Sequence, residues 1–73
     1  SVLADLSGGC GEIVYEDDCL RAVRGAAGAA GALSAAEQQG VRTRIMELMA
    51  AHPNQAASIR EAAAGAGLQI EGR

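Results

Sequence analysis

Cys10, Cys19 and His52 are the side chains of this sequence best suited to nucleophilic, redox or metal chemistry, and their spacing fits none of the common arrangements. The cysteines are separated by eight residues, which matches neither a zinc-finger pair nor a Cys-x-x-Cys redox motif. His52 is the only imidazole, so a fourth soft ligand for a metal is missing. A cysteine nucleophile with His52 as base and an Asp as orienter would have to be drawn from a loop, a helix end and an acidic segment, with no evident scaffold. Asp17-Asp18 lacks the alternating spacing of a calcium loop, and Gly8-Gly9-Cys10-Gly11 lacks the Lys, the Ser or Thr and the following helix of a phosphate loop. No catalytic, cofactor-binding or metal site is therefore expected, and the chain is not expected to be an enzyme. Two ordinary thiols are the plainer reading of Cys10 and Cys19, with a disulfide across this short loop as the sterically open alternative.

Charge is divided unevenly along the chain. Residues 1–18 carry Asp5, Glu12, Glu16, Asp17 and Asp18 with no base, whereas the remainder sets six Arg against Glu37, Glu47, Glu61 and Glu71. The split is −5 against +2, without a single Lys. A pI near 4.9 is the wrong sign for a protein that lives on phosphate backbones, so nucleic acid is not an expected partner. An acidic N-terminal segment docking on an Arg-bearing helical body, in cis or in a second copy, fits the asymmetry better. No run approaches the roughly 20 apolar residues of a membrane span, and the start lacks a basic stretch followed by an apolar core. The expectation is a soluble chain with no membrane partner, the cytoplasm being favoured.

The elements that must position these groups are short of bulk. The hydrophobic fraction is 49%, yet 17 of those residues are Ala, 17 are large apolar side chains, and Phe and Trp are absent. So little bulk argues for a chain that is partly disordered, oligomeric or finished by a partner.

Residues 2–15 hold two apolar patches, Val2, Leu3, Leu6 and Ile13, Val14, Tyr15, around Ser7-Gly8-Gly9-Cys10-Gly11. They are expected to form a loosely structured acidic arm over 1–16, with a short strand at 12–15 or a hairpin as the ordered alternative. Asp17 or Asp18 is placed to cap a first helix, with Leu20, Val23, Ala27 and Ala30 on one face. Gly25, Gly28 and Gly31 then leave two readings. Either the helix ends near 25 and a Gly/Ala linker follows, or it runs on to 32 because a neighbour packs tightly against the glycines.

Ser34-Ala35-Ala36-Glu37 is a capping box that opens a helix over 35–51. Its apolar stripe is Val41, Ile45, Leu48, Met49 and His52, and Pro53 ends it. A third helix over 55–66 follows, capped by Asn54 or by a second box at Ser58-Ile59-Arg60-Glu61, and closed by Gly67 in the left-handed position. Met46 lies off the stripe of the second helix. Together with apolar area expected to remain on Val41, Ile45, Leu48 and Met49, it marks the expected interface.

Residues 44–68 resemble the first two helices of helix-turn-helix repressors, the winged ones in particular. Ile45-Met46-Glu47-Leu48-Met49-Ala50-Ala51-His52-Pro53 stands for the first helix, and Ser58 to Leu68 for the second, with Ala63, Gly67 and Leu68 fitting the turn. The resemblance implies a DNA-binding regulator. This sequence departs from it where a groove-reading helix should follow Leu68, and no Lys or Arg cluster takes that role. Ile70-Glu71-Gly72-Arg73 resembles the recognition tetrapeptide of the coagulation protease factor Xa. That resemblance implies that 70–73 are the remnant of a cleaved tag and removes Ile70 from the expected core.

The expected architecture is thus mainly all-α: two or three helices in a module over 17–69, after an acidic arm and before a four-residue remnant. The expected function is a non-catalytic protein–protein interaction, dimerisation or docking module without a cofactor, acting on a copy of itself or on a helix of another protein. Alternatives are a truncated helix-turn-helix DNA-binding domain and a small effector or inhibitor held by a Cys10–Cys19 disulfide.

Overall fold

A computed structural model describes Leu6 and residues 16–70 of the chain, the side chain of Glu16 excepted. Among the described residues the fold is all-α. Three helices, α1 (Glu16–Ala30), α2 (Ala35–Ala51) and α3 (Ala56–Gly65), are joined by a turn at 31–34 and by a single 3-10 turn at Pro53–Gln55. No strand occurs among these residues.

Helix α1 begins at Glu16, so Asp17 and Asp18 lie within its first turn, exposed, rather than capping it. Their two carboxylates still face the positive end of the helix dipole. The helix then runs through Gly25 and Gly28 to Ala30, so a linker beginning near 25 is not what forms. Cys19, Val23, Ala26, Ala27 and Ala30 all turn inward and are buried, a spacing of four, three, one and three that keeps one face toward the core. The largest of the three helix pairings sets this face against α3. Burial of that stripe offsets the cost of about 1 kcal/mol that each glycine adds in a helix interior.

The glycines themselves are not the contact. Gly25, Gly28 and Gly31 are exposed, and a Cβ placed on any of them meets nothing within 4 Å. The small side chains on the buried face of α1 are alanines, Ala26, Ala27 and Ala30. The carbonyls of Ala29 and Ala30, left over at the helix end, accept from the backbone N–H groups of Ala32 (3.2 Å) and Leu33 (3.0 Å).

Helix α2 starts where its capping box places it. Ser34 has an extended backbone (φ −64°, ψ 162°), and its hydroxyl accepts from the Glu37 backbone N–H at 3.2 Å. The same hydroxyl donates to Glu37 Oε1 at 2.9 Å, so the carboxylate closes the box on the serine side chain. At the other end the His52 N–H donates to the Leu48 carbonyl at 2.9 Å, and Pro53 turns the chain away.

The start of α3 departs from both expected caps. Asn54 sits exposed inside the 3-10 turn, Gln55 takes the cap position without a side-chain bond, and Ser58 lies inside the helix rather than before it. Proline at the head of a tight turn supplies a preset φ that nucleates the 3-10 geometry and removes the need for a polar cap.

Helix α3 ends in a Schellman motif. Gly67 has φ +106°, its N–H donates to Ala64 at 3.1 Å, and the Leu68 N–H donates to Ala63 at 3.0 Å. The chain then folds back so that Leu68 and Ile70 are 3% and 5% exposed. Ile70 therefore belongs to the core, contrary to its expected exclusion. The expectation failed because a four-residue match carries no information on packing. Leu6 is helical and fully buried in the same cluster, so at this position the acidic arm is not loose. The expected hairpin, the strand at 12–15 and Cys10 lie outside the described residues.

Candidate functional site

The five side chains expected to form an interface separate into two groups. Val41, Ile45 and Leu48 are at most 2% exposed and lie in the core of the chain itself, together with Val23 and Ile59. Met49 is half-buried against that core. Met46 is the exposed large hydrophobic residue among those described, with 38% of its surface open. The apolar area expected to remain on the α2 stripe is thus taken up within the chain, because α1 and α3 both pack against α2.

Met46 stands beside a shallow groove. Gln39, Arg42 and Met46, at i, i+3 and i+7, line it from α2, and Gln69 and Ile70 line it from the returning C-terminal segment. Its volume is about 380 Å³. Arg42 fixes the far wall, since its Nε donates to the Gln69 carbonyl at 3.3 Å across 27 positions of sequence. This contact and the burial of Ile70 hold the segment against α2. The groove therefore combines a polarisable thioether, a guanidinium and an amide side chain over a buried isoleucine.

Sequence reasoning reached Met46, because it lies off the helical stripe. It missed Arg42, Gln69 and Ile70, and the protease-site resemblance hid the last of these. No local signal pairs Arg42 with Gln69; the pairing depends on how the Gly67 turn aims the chain.

A second open groove, between α1 and α3, is lined by Leu20, Arg24, Ser58, Glu61, Ala62, Gly65 and Ala66. Its charged rims carry opposite sign, Arg24 on one helix and Glu61 on the other, and Leu20 is its only large apolar side chain.

Among the described residues, those considered for chemistry do not converge. His52 is half-buried at the end of α2, where its backbone N–H serves as the helix terminus. Cys19 is fully buried on α1 and is disulfide-bonded rather than a thiol. Asp17 and Asp18 are exposed at the opposite end of α1 from the 31–34 turn. Among the described residues no group of three or more His, Cys, Asp or Glu is placed to hold a metal ion. No described helix is long and apolar enough to cross a membrane.

No protein-family model matches this chain, and no curated protein or solved structure matches it significantly.

Proposed function

We propose that the chain is a small non-catalytic docking module that engages a protein partner through the Met46 face of α2. The observation that carries this reading is the exposure of Met46 on a helix whose other large apolar side chains are buried or half-buried. A lone exposed thioether next to a guanidinium suits a partner that presents an apolar side chain flanked by a carboxylate. A single such anchor among the described residues fits transient docking; an obligate dimer would need a broader apolar face. The disulfide at Cys19 supports an oxidising compartment as the place where this docking occurs.

The test is site-specific cross-linking. A photo-reactive methionine analogue is placed at position 46 in a Met49→Leu background, and the same probe is placed at position 29 on the exposed side of α1 as a control. Products formed from position 46, absent from position 29 and lost when unlabelled chain competes, support the reading; a product that contains only this chain identifies the partner as a second copy. Equal cross-linking from both positions overturns it.

A further inference from the structure

We propose that two copies of this chain associate face to face through the groove between α1 and α3, with Arg24 of each copy paired to Glu61 of the other. Among the described residues these two side chains stand on opposite rims of the groove, both are exposed, and no ion pair joins them within the chain. The groove is open, with a volume of about 440 Å³, and Leu20, Ala62 and Gly65 also line it. Its walls belong to the most extensive of the helix pairings, so the core fixes the spacing of the two charged rims. None of its lining residues is shared with the groove beside Met46.

The charge pattern identifies the occupant. A uniformly acidic or basic partner meets one favourable rim and one unfavourable rim, whereas a surface with the same two charges in reverse order suits both. This chain presents such a surface itself. A two-fold axis running along the groove lays α1 of one copy over α3 of the other, and because the contact is isologous both Arg24–Glu61 pairs form together. An axis across the groove would set Arg24 against Arg24 and Glu61 against Glu61, and repulsion disfavours that arrangement. The first rotation also brings the half-buried Leu20 to a wall of small residues, Ala62, Gly65 and Ala66. A Cβ built at Gly65 meets nothing within 4 Å, so that wall has room for an incoming side chain. With Leu20 as the only large apolar contribution from each copy, the pairing belongs with weak, exchanging contacts. Separation of the two grooves lets a paired copy still hold a partner at Met46.

The experiment is analytical ultracentrifugation of the full chain, without reductant and at low ionic strength, from low micromolar to millimolar concentration. The mean mass should rise with concentration toward that of a dimer. Arg24→Glu and Glu61→Arg each set like charges against one another in both pairs of a dimer, and each should weaken association by roughly tenfold or more. Circular dichroism should show both variants folded, since both positions are exposed. An equimolar mixture of the two variants should associate again, because every Glu then meets an Arg. Net charge does not explain such a rescue: the chain carries −3 and each reversal changes it by two, so both variants stay negative. A monomer at every concentration overturns the proposal, as does a mixture that associates no better than the single variants. Association that survives both reversals but is lost in Met46→Gln belongs to the other groove and overturns it too. If a reversal fails to fold, Arg24→Gln and Glu61→Gln replace the pair, and unweakened association in both would sink the idea.

Discussion

The backbone N–H of Leu68 donates to the carbonyl of Ala63 over 3.0 Å, spanning Gly67, and both side chains are buried in the core. This one bond sets three things at once. It satisfies a carbonyl that the end of α3 would otherwise leave open, it turns the chain through the left-handed region at Gly67, and it aims Gln69 and Ile70 back toward α2. The wall of the Met46 groove is a consequence of that turn.

Gly67→Ala should therefore weaken the fold although the site has room for a methyl group. Nothing lies within 4 Å of a Cβ built there, so the penalty is conformational and comes from φ +106°. The left-handed conformation costs an L-residue about 1 kcal/mol, which in a domain of this size corresponds to a fall of about 5 °C in Tm. Thermal unfolding followed by circular dichroism measures it. An unchanged Tm would mean that the turn relaxes to negative φ at no cost.

The same residues show what the sequence could and could not reveal. Gly67 and the Ser34 box were legible because their signals act within four or five residues, and α2 accordingly has its expected bounds. The length of α1 was not legible. Its passage through Gly25 and Gly28 depends on Ala26, Ala27 and Ala30 packing against α3, some thirty positions later in the chain. Leu6 and Ile70 were missed for a similar reason, since burial of residues near the ends of a chain is decided by tertiary packing alone. Met46 was separable from its neighbours by period. The fate of Val41, Ile45 and Leu48 was not, because an apolar stripe looks the same whether its own chain or a partner covers it.

Gly25→Ala and Gly28→Ala should each stabilise the protein. Both positions are exposed and helical with open space at Cβ, so alanine gains helix propensity and narrows the unfolded ensemble without a clash. The expected gain is about 0.5–1 kcal/mol per site, or a rise of about 4 °C in Tm. Urea denaturation of the two single variants and the double variant tests this. A loss of stability at either site would show that the glycine is needed for a contact the open surface does not reveal.

Ser34 should tolerate Asn better than Ala or Asp. Ala removes the oxygen that caps the Glu37 N–H, a loss of about 1 kcal/mol. Asn keeps an acceptor for that N–H and offers an amide to the Glu37 carboxylate. Asp keeps the acceptor but sets a second carboxylate where the hydroxyl now donates to Glu37 Oε1 at 2.9 Å, and like charges that close repel. The expected order of Tm is Ser and Asn above Asp and Ala. If Asp matches Ser, the bond between hydroxyl and carboxylate adds nothing to the cap.

Ile70 supplies the sharpest test of the returning segment. Its side chain is 5% exposed and closes the core below the Met46 groove, while Arg42 holds the preceding carbonyl. Ile70→Ala should cost about 2 kcal/mol, the low end for such a truncation because a site near a chain end can relax. In a domain of this size that is a Tm lower by about 10 °C. Ile70→Val, which removes one methylene, should cost about 1 kcal/mol or less. A chain ending at Gln69 loses the same side chain and should fall with the alanine variant. Arg42→Gln acts on the groove wall through a different atom, and its exposed hydrogen bond should carry only about 0.5–1 kcal/mol. Equal stability of the chain ending at Gln69 and the full chain would mean that the segment only rests on α2, and the groove beside Met46 would then lose its far wall as a fixed feature.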